Sequence, residues 1–146
     1  MKAVICTALV ALACLATPAF AEDDPVGLFK NVTGRVAIDR NGATLDAKPG
    51  MAVFVADRLR ADASASAGIV FRDGTLLTLG SRADLQVRDY VFKPNEAKYA
   101  FSAYLAKGSA IYSSGKIGKL SPETVKVDTP TATIGVRGTR FVVEAD

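Results

Sequence analysis

From residue 28 onward the chain sustains no helical repeat. Short runs rich in β-branched and aromatic residues recur instead, and Gly, Pro, Asn and Asp interrupt them every few positions. A helix needs ten or more residues of consistent 3.6-residue period to bury one face, and no such window stands out. The main competitor is residues 97–106, but the two-residue spacing of Tyr99, Phe101, Ala103 and Leu105 favours a strand there. The expected fold class is therefore all-β: a single compact domain of about ten short strands, arranged as a β-sandwich or roll or as a solenoid-like stack.

Residues 28–39 read as a first strand, with Val32, Val36 and Ile38 apolar. Asn41-Gly42 and Lys48-Pro49-Gly50 read as turns, because Asn and Gly tolerate positive φ. Residues 53–59 form another apolar segment. Asp73-Gly74, flanked by Ile69-Val70-Phe71 and Leu76-Leu77, is a hairpin signal, with Asp73 and Gly74 as turn residues. Both faces of those strands are apolar, which predicts central strands covered on both sides. Residues 83–92 and 99–105 read as a strand pair, with a further turn at Lys107-Gly108 and a brief strand at Ala110-Ile111-Tyr112. Residues 113–122, rich in Ser and Gly, read as a loop. Val125 and Val127 point inward on the next strand, Pro130 breaks it, and residues 131–136 and 139–143 form a closing pair around Arg137-Gly138.

The first residues carry a different message. Lys2 precedes an apolar run from Ala3 to Ala16, and Ala19-Phe20-Ala21 precedes the acidic Glu22-Asp23-Asp24. This is the order of a signal peptide, and the run is shorter than the roughly 20 residues a spanning helix needs. The expected organisation is a signal peptide over 1–21, a short leader over 22–31 and the β domain over 32–146. No later stretch is long and apolar enough to span a membrane, which places the product in the periplasm or beyond. Leu12-Ala13-Cys14 faintly resembles a lipoprotein site, but Ala19-Phe20-Ala21 is the better-formed cleavage site.

Both cysteines, Cys6 and Cys14, fall inside that signal, and the chain has no histidine. Triads built on histidine, Cys-His pairs and His-ligated zinc are thereby excluded, and no catalytic residue, cofactor or metal site is expected. A carboxylate-based glycosidase needs two facing acids, and no pair stands out. Removing the signal takes the net charge from +3 to +2, too small a bias to imply nucleic acid.

Two segments carry a more specific pattern: Phe71-Arg72-Asp73-Gly74-Thr75-Leu76-Leu77-Thr78-Leu79, and Val127-Asp128-Thr129-Pro130-Thr131-Ala132-Thr133-Ile134-Gly135-Val136-Arg137-Gly138-Thr139-Arg140-Phe141. Together they resemble the FecR domain family, with its DG-(T/S) hairpin and terminal TP…GVRGT segment. Gly34-Arg35-Val36, Lys48-Pro49-Gly50-Met51 and Leu105-Ala106-Lys107-Gly108 match in order, so the resemblance spans about 32–143. It implies an extracytoplasmic all-β domain. In the best-known members that domain belongs to transmembrane regulators relaying a signal from outer-membrane iron transporters to a sigma factor. This sequence shows neither a cytoplasmic anti-sigma segment nor a mid-chain membrane helix, so the expectation is the domain exported alone.

The expected role is binding, most readily of another envelope protein, with a cell-wall or other polysaccharide as the alternative. Arg137 and Thr139 are candidate contacts. Gly138 reads as a turn residue supplying permissive φ. The Arg137 guanidinium either pairs internally, with Asp73 or Asp128 as candidates, or reaches the partner. Tyr90 and Tyr104 are further candidates, expected on an outward face of the paired strands.

Processing at the predicted site leaves Glu22 as the first residue. Intact-mass measurement of exported protein checks this; retention of residues 1–21 in the exported form refutes it.

Overall fold

The structure, a computed structural model, describes residues 24–135 and 140–146. Among these are twelve strands: β1 Gly27–Thr33, β2 Val36–Arg40, β3 Ala43–Asp46, β4 Ala52–Val53, β5 Arg58–Ala61, β6 Ser66–Phe71, β7 Leu76–Leu79, β8 Asp84–Lys93, β9 Lys98–Ser113, β10 Val125–Asp128, β11 Thr133–Gly135 and β12 Arg140–Ala145. One short helix, α1 Lys116–Leu120, lies between β9 and β10. The all-β single-domain expectation holds, in its roll form.

The strands run β3-β2-β5-β8-β9-β7-β6-β1-β4, curling into two half-sheets that share β9. The first half of β9 lies between β8 and the parallel strand β10, and the second half lies between β7 and β12. Phe71 of one half meets Phe101 of the other edge-on at 5.1 Å and stacks on Tyr90 at 5.4 Å. One apolar core therefore fills the roll, with Phe29, Ile38, Leu59, Ile69, Leu79 and Leu105 fully enclosed.

The turns follow the residues that permit them. Asn41 and Gly42 both take positive φ, 51° and 78°, joining β2 to β3 by a tight hairpin. At the Asp73-Gly74 turn, the Gly74 N–H donates to the Phe71 carbonyl and the Phe71 N–H to the Thr75 carbonyl, each at 2.9 Å, with Gly74 at φ 88°.

The structure corrects several expectations. The predicted strand over 28–39 is two strands, because Gly34 at φ 71° breaks it and the chain turns into the other half-sheet. The ordered domain also starts ahead of residue 32: β1 begins at Gly27, and Phe29 is wholly buried. The apolar segment over 53–59 splits into β4 and β5, with Ala56 at φ 74° between them. The β6–β7 pair is central, but Val70 and Leu76 on its outer face are only half-buried. Part of the expected loop over 113–122 is α1. The last two strands do not pair with each other: β11 joins β10, and β12 joins β9.

Lys107-Gly108 is not a turn. The chain continues through it as one sixteen-residue strand, bending where the β8–β9 register shifts between Leu105 and Lys107. Gly108 sits at φ 80°, and a Cβ there would lie 2.5 Å from the Ala83 N and Cα atoms. The bend needs both positive φ and the absence of a side chain.

Gly108→Val is expected to destabilise the domain by about 3 kcal/mol or more, since strain and overpacking add at one site. Chemical denaturation measures this; a midpoint within error of the parent refutes it.

Candidate functional site

The first sequence motif builds a buried polar node. Asp73 is 2% exposed at the β6–β7 turn. Its Oδ1 accepts from the Tyr90 hydroxyl at 2.9 Å and the Thr75 N–H at 3.2 Å. Its Oδ2 accepts from the Thr75 hydroxyl at 2.7 Å and the Ile117 N–H at 3.0 Å. The Asp73 carbonyl takes the Lys116 N–H at 2.9 Å, and the Asp73 N–H donates back to the Tyr90 oxygen at 3.0 Å. Asp73 thus ties its own turn to β8 and supplies acceptors for the first N–H groups of α1, which has no side-chain cap of its own. Gly115 lets the helix approach, since a Cβ there would strike the Thr75 N. A buried carboxylate with four donors is a fastened joint, and its oxygens are engaged inside the fold.

Tyr90 is a correction. It was expected outward with Tyr104, yet it is 5% exposed and faces the core. The reason is a β-bulge. Gln86 and Val87 pair with Tyr104 and Ala103, but Asp89 pairs with Ser102, so Arg88 is one residue extra. The extra residue inverts the alternation beyond it and turns Tyr90 inward opposite Phe101. Burial, and next the Asp73 charge, push the Tyr90 hydroxyl well above the ordinary tyrosine range.

Tyr104 does lie on the outer face, half-buried. The Arg88 guanidinium, projected by the bulge, covers its ring at 4.1 Å and stands 3.8 Å from Asp128 of β10. Strand register places Gln86 directly beside Tyr104. On β2, β5 and β8 the same face carries Arg60 paired with Asp39 at 2.8 Å and Arg58 with Asp84 at 2.8 Å. Asp39 also accepts from the Thr44 hydroxyl at 2.9 Å, and the Arg60 and Thr44 bonds hold its carboxyl below the usual range. Exposed pairs of this kind are screened by solvent and hold their partners weakly, so exchanging them for a partner's groups costs little.

Arg137, Gly138 and Thr139 lie outside the described residues. Of the carboxylates expected to meet Arg137, Asp73 is occupied as above and Asp128 faces Arg88. Pro130 lies in an exposed turn closed by the Thr129 N–H donating to the Ala132 carbonyl at 2.8 Å.

Sequence reasoning missed one cluster. Asp57 is 1% exposed and receives a two-point contact from Arg40, Nε to Oδ1 at 2.8 Å and a terminal nitrogen to Oδ2 at 2.7 Å. Arg40 also stacks on Phe54 at 4.5 Å, and the Phe54 N–H donates to Asp57 at 2.9 Å. This pins the crossing from β4 to β5. Its partners lie 17 residues apart, a separation with no local signature.

Among the described residues, no group of three or more His, Cys, Asp or Glu side chains is placed to hold a metal ion, and no helix is long and apolar enough to cross a membrane. A family profile described as FecR protein matches residues 57–146, which takes in Asp73, Tyr90, Arg88, Tyr104 and Asp128 and the final strands. Comparison with curated proteins and with solved structures gave no match.

Asp73→Ala leaves the Tyr90 hydroxyl and the Ile117 N–H without their acceptor, so a loss of about 3 kcal/mol is expected. Tyr90→Phe is expected to cost about 1–2 kcal/mol. Because folding raises the Tyr90 ionisation, its contribution is complete below the unfolded value of 10.0 and is lost as the pH climbs through the higher folded value. Stability measured between pH 9 and 12 should therefore fall more steeply in the parent than in Tyr90→Phe. Parallel curves would refute the role given to this hydroxyl.

Proposed function

The chain belongs to the FecR family, a regulatory signalling family, and from that membership we propose that it is an exported, non-enzymatic interaction module of the bacterial envelope. In this reading it is released from its signal peptide into the periplasm or beyond and relays a signal by contact with another envelope protein. The observation that carries the proposal is the outer face around Tyr104, Arg88 and Asp128. An aromatic ring, a guanidinium and a carboxylate are held in fixed relation on rigid strands, beside exposed ion pairs that are easily exchanged. Arg137 and Thr139 belong to the same matched segment and are proposed as additional contacts.

Polysaccharide is the second reading, motivated by the outward Tyr104. A sugar stacking on that ring must first displace Arg88, which ranks this reading below protein contact.

Cross-linking of tagged protein in its own envelope tests the proposal, with Tyr104→Ala/Arg88→Ala and Arg137→Ala as paired variants. Both substitutions of the first variant lie on the surface, so its melting temperature should stay close to the parent's. The expected result is one defined protein adduct, reduced at least about tenfold in that variant, as for loss of an interface anchor. An adduct indifferent to the double substitution moves the contact elsewhere. Retention on purified wall polymer with no protein adduct replaces the proposal with the second reading.

A further inference from the structure

The free edges of this sheet differ in what they offer. β4 has two residues, β11 three and β3 four, while β12 has six. Among the described residues β12 pairs only with β9, so its other edge presents backbone N–H and C=O groups. Phe141, Val143 and Ala145 face the core side, and Phe141 stacks on Tyr112 at 5.0 Å. Arg140, Val142 and Glu144 face outward, with Val142 60% exposed.

The outward triplet is symmetric about its centre. Arg140 stands two residues before Val142 and Glu144 two residues after it, so the strand is complementary in charge to its own reverse. From this self-complementarity we infer that β12 is a homodimer edge: two copies of the chain pair β12 against β12, antiparallel, about a two-fold axis through Val142. In that register each Arg140 stands opposite the partner copy's Glu144, and Val142 stands opposite itself.

Alternation selects this register over its neighbours. Directly opposed residues share a face, so an odd offset sets the buried face of one copy beside the exposed face of the other. Of the even offsets, centring on Arg140 or Glu144 opposes like charges, which is unfavourable. Centring on Phe141 or Val143 leaves Arg140 and Glu144 without each other. Only the Val142 centre matches both charges and pairs all of 140–144. It also extends the apolar contact of the outer face, because Val142 neighbours Ile111 on β9 and would meet its own copy across the axis. The two half-sheets then form one sheet across the axis, as expected of an isologous contact.

The inference rests on other residues than the Tyr104, Arg88 and Asp128 face proposed above, which lies on the other half-sheet. Sedimentation of the purified protein over a range of concentrations tests it. Dimers are expected, and Arg140→Glu and Glu144→Arg should each weaken association about tenfold or more, since each turns two attractive pairs into repulsive ones. The double exchange Arg140→Glu/Glu144→Arg should restore it. Circular dichroism and thermal melts of each variant establish that the monomers remain folded. As a second measurement, Val142→Cys treated with the thiol oxidant diamide should give a covalent dimer that the unsubstituted protein does not. A protein monomeric at every concentration overturns the inference. So does a dimer indifferent to the single reversals, or one that the double exchange fails to restore. A dimer in which Val142→Cys does not link overturns the register.

Discussion

Everything that must meet inside this roll meets at one carboxylate. Asp73 is buried in the turn of one half-sheet and takes its fourfold hydrogen bonding from that turn, from Tyr90 on the other half-sheet and from the start of α1. A charge at that depth persists only where every oxygen is matched, so the three elements must arrive together. The aromatic contacts among Phe71, Tyr90 and Phe101 surround the same point, coupling polar satisfaction to apolar packing. The DG-T motif thereby encodes more than a hairpin. Gly74 gives the turn its backbone, while Asp73 and Thr75 give the turn its neighbours.

Local chemistry was legible in the sequence wherever it is decided within a few residues. Asn41-Gly42 and Asp73-Gly74 turn where expected, and the inward sets Phe101, Ala103, Leu105 and Val125, Val127 follow simple alternation. The family pattern was legible too, since it rests on contiguous residues. What escaped was set by tertiary pairing. The bulge at Arg88 leaves no local mark, yet it reverses the facing of Tyr90. Gly108 has the composition of a turn, and only the neighbouring Ala83 reveals that it serves a bend inside a continuous strand. α1 is too short to carry a period, and its first N–H groups are met by Asp73, more than 40 residues away in sequence.

The two outer faces are chemically distinct. One is ordered by ion pairs across β2, β5, β8 and β10. The other, across β1, β6, β7, β9 and β12, carries Leu28, Val70, Leu76, Ile111 and Val142, with Arg140 and Glu144 flanking Val142 on its outermost strand. A domain with two such faces on one core offers two chemically different surfaces for contact.

The unbroken course of β9 has a consequence for how the domain comes apart. A sandwich whose sheets are joined only by loops can lose one leaf while keeping the other. Here one strand of sixteen consecutive residues runs from one leaf into the other, paired along both edges over 101–104 in the first and over 110–113 in the second. Neither leaf can open without stripping a strand that the other is still holding. The backbone amides of β9 on either side of Gly108 therefore share one opening event, and their exchange with solvent reports the free energy of the whole fold.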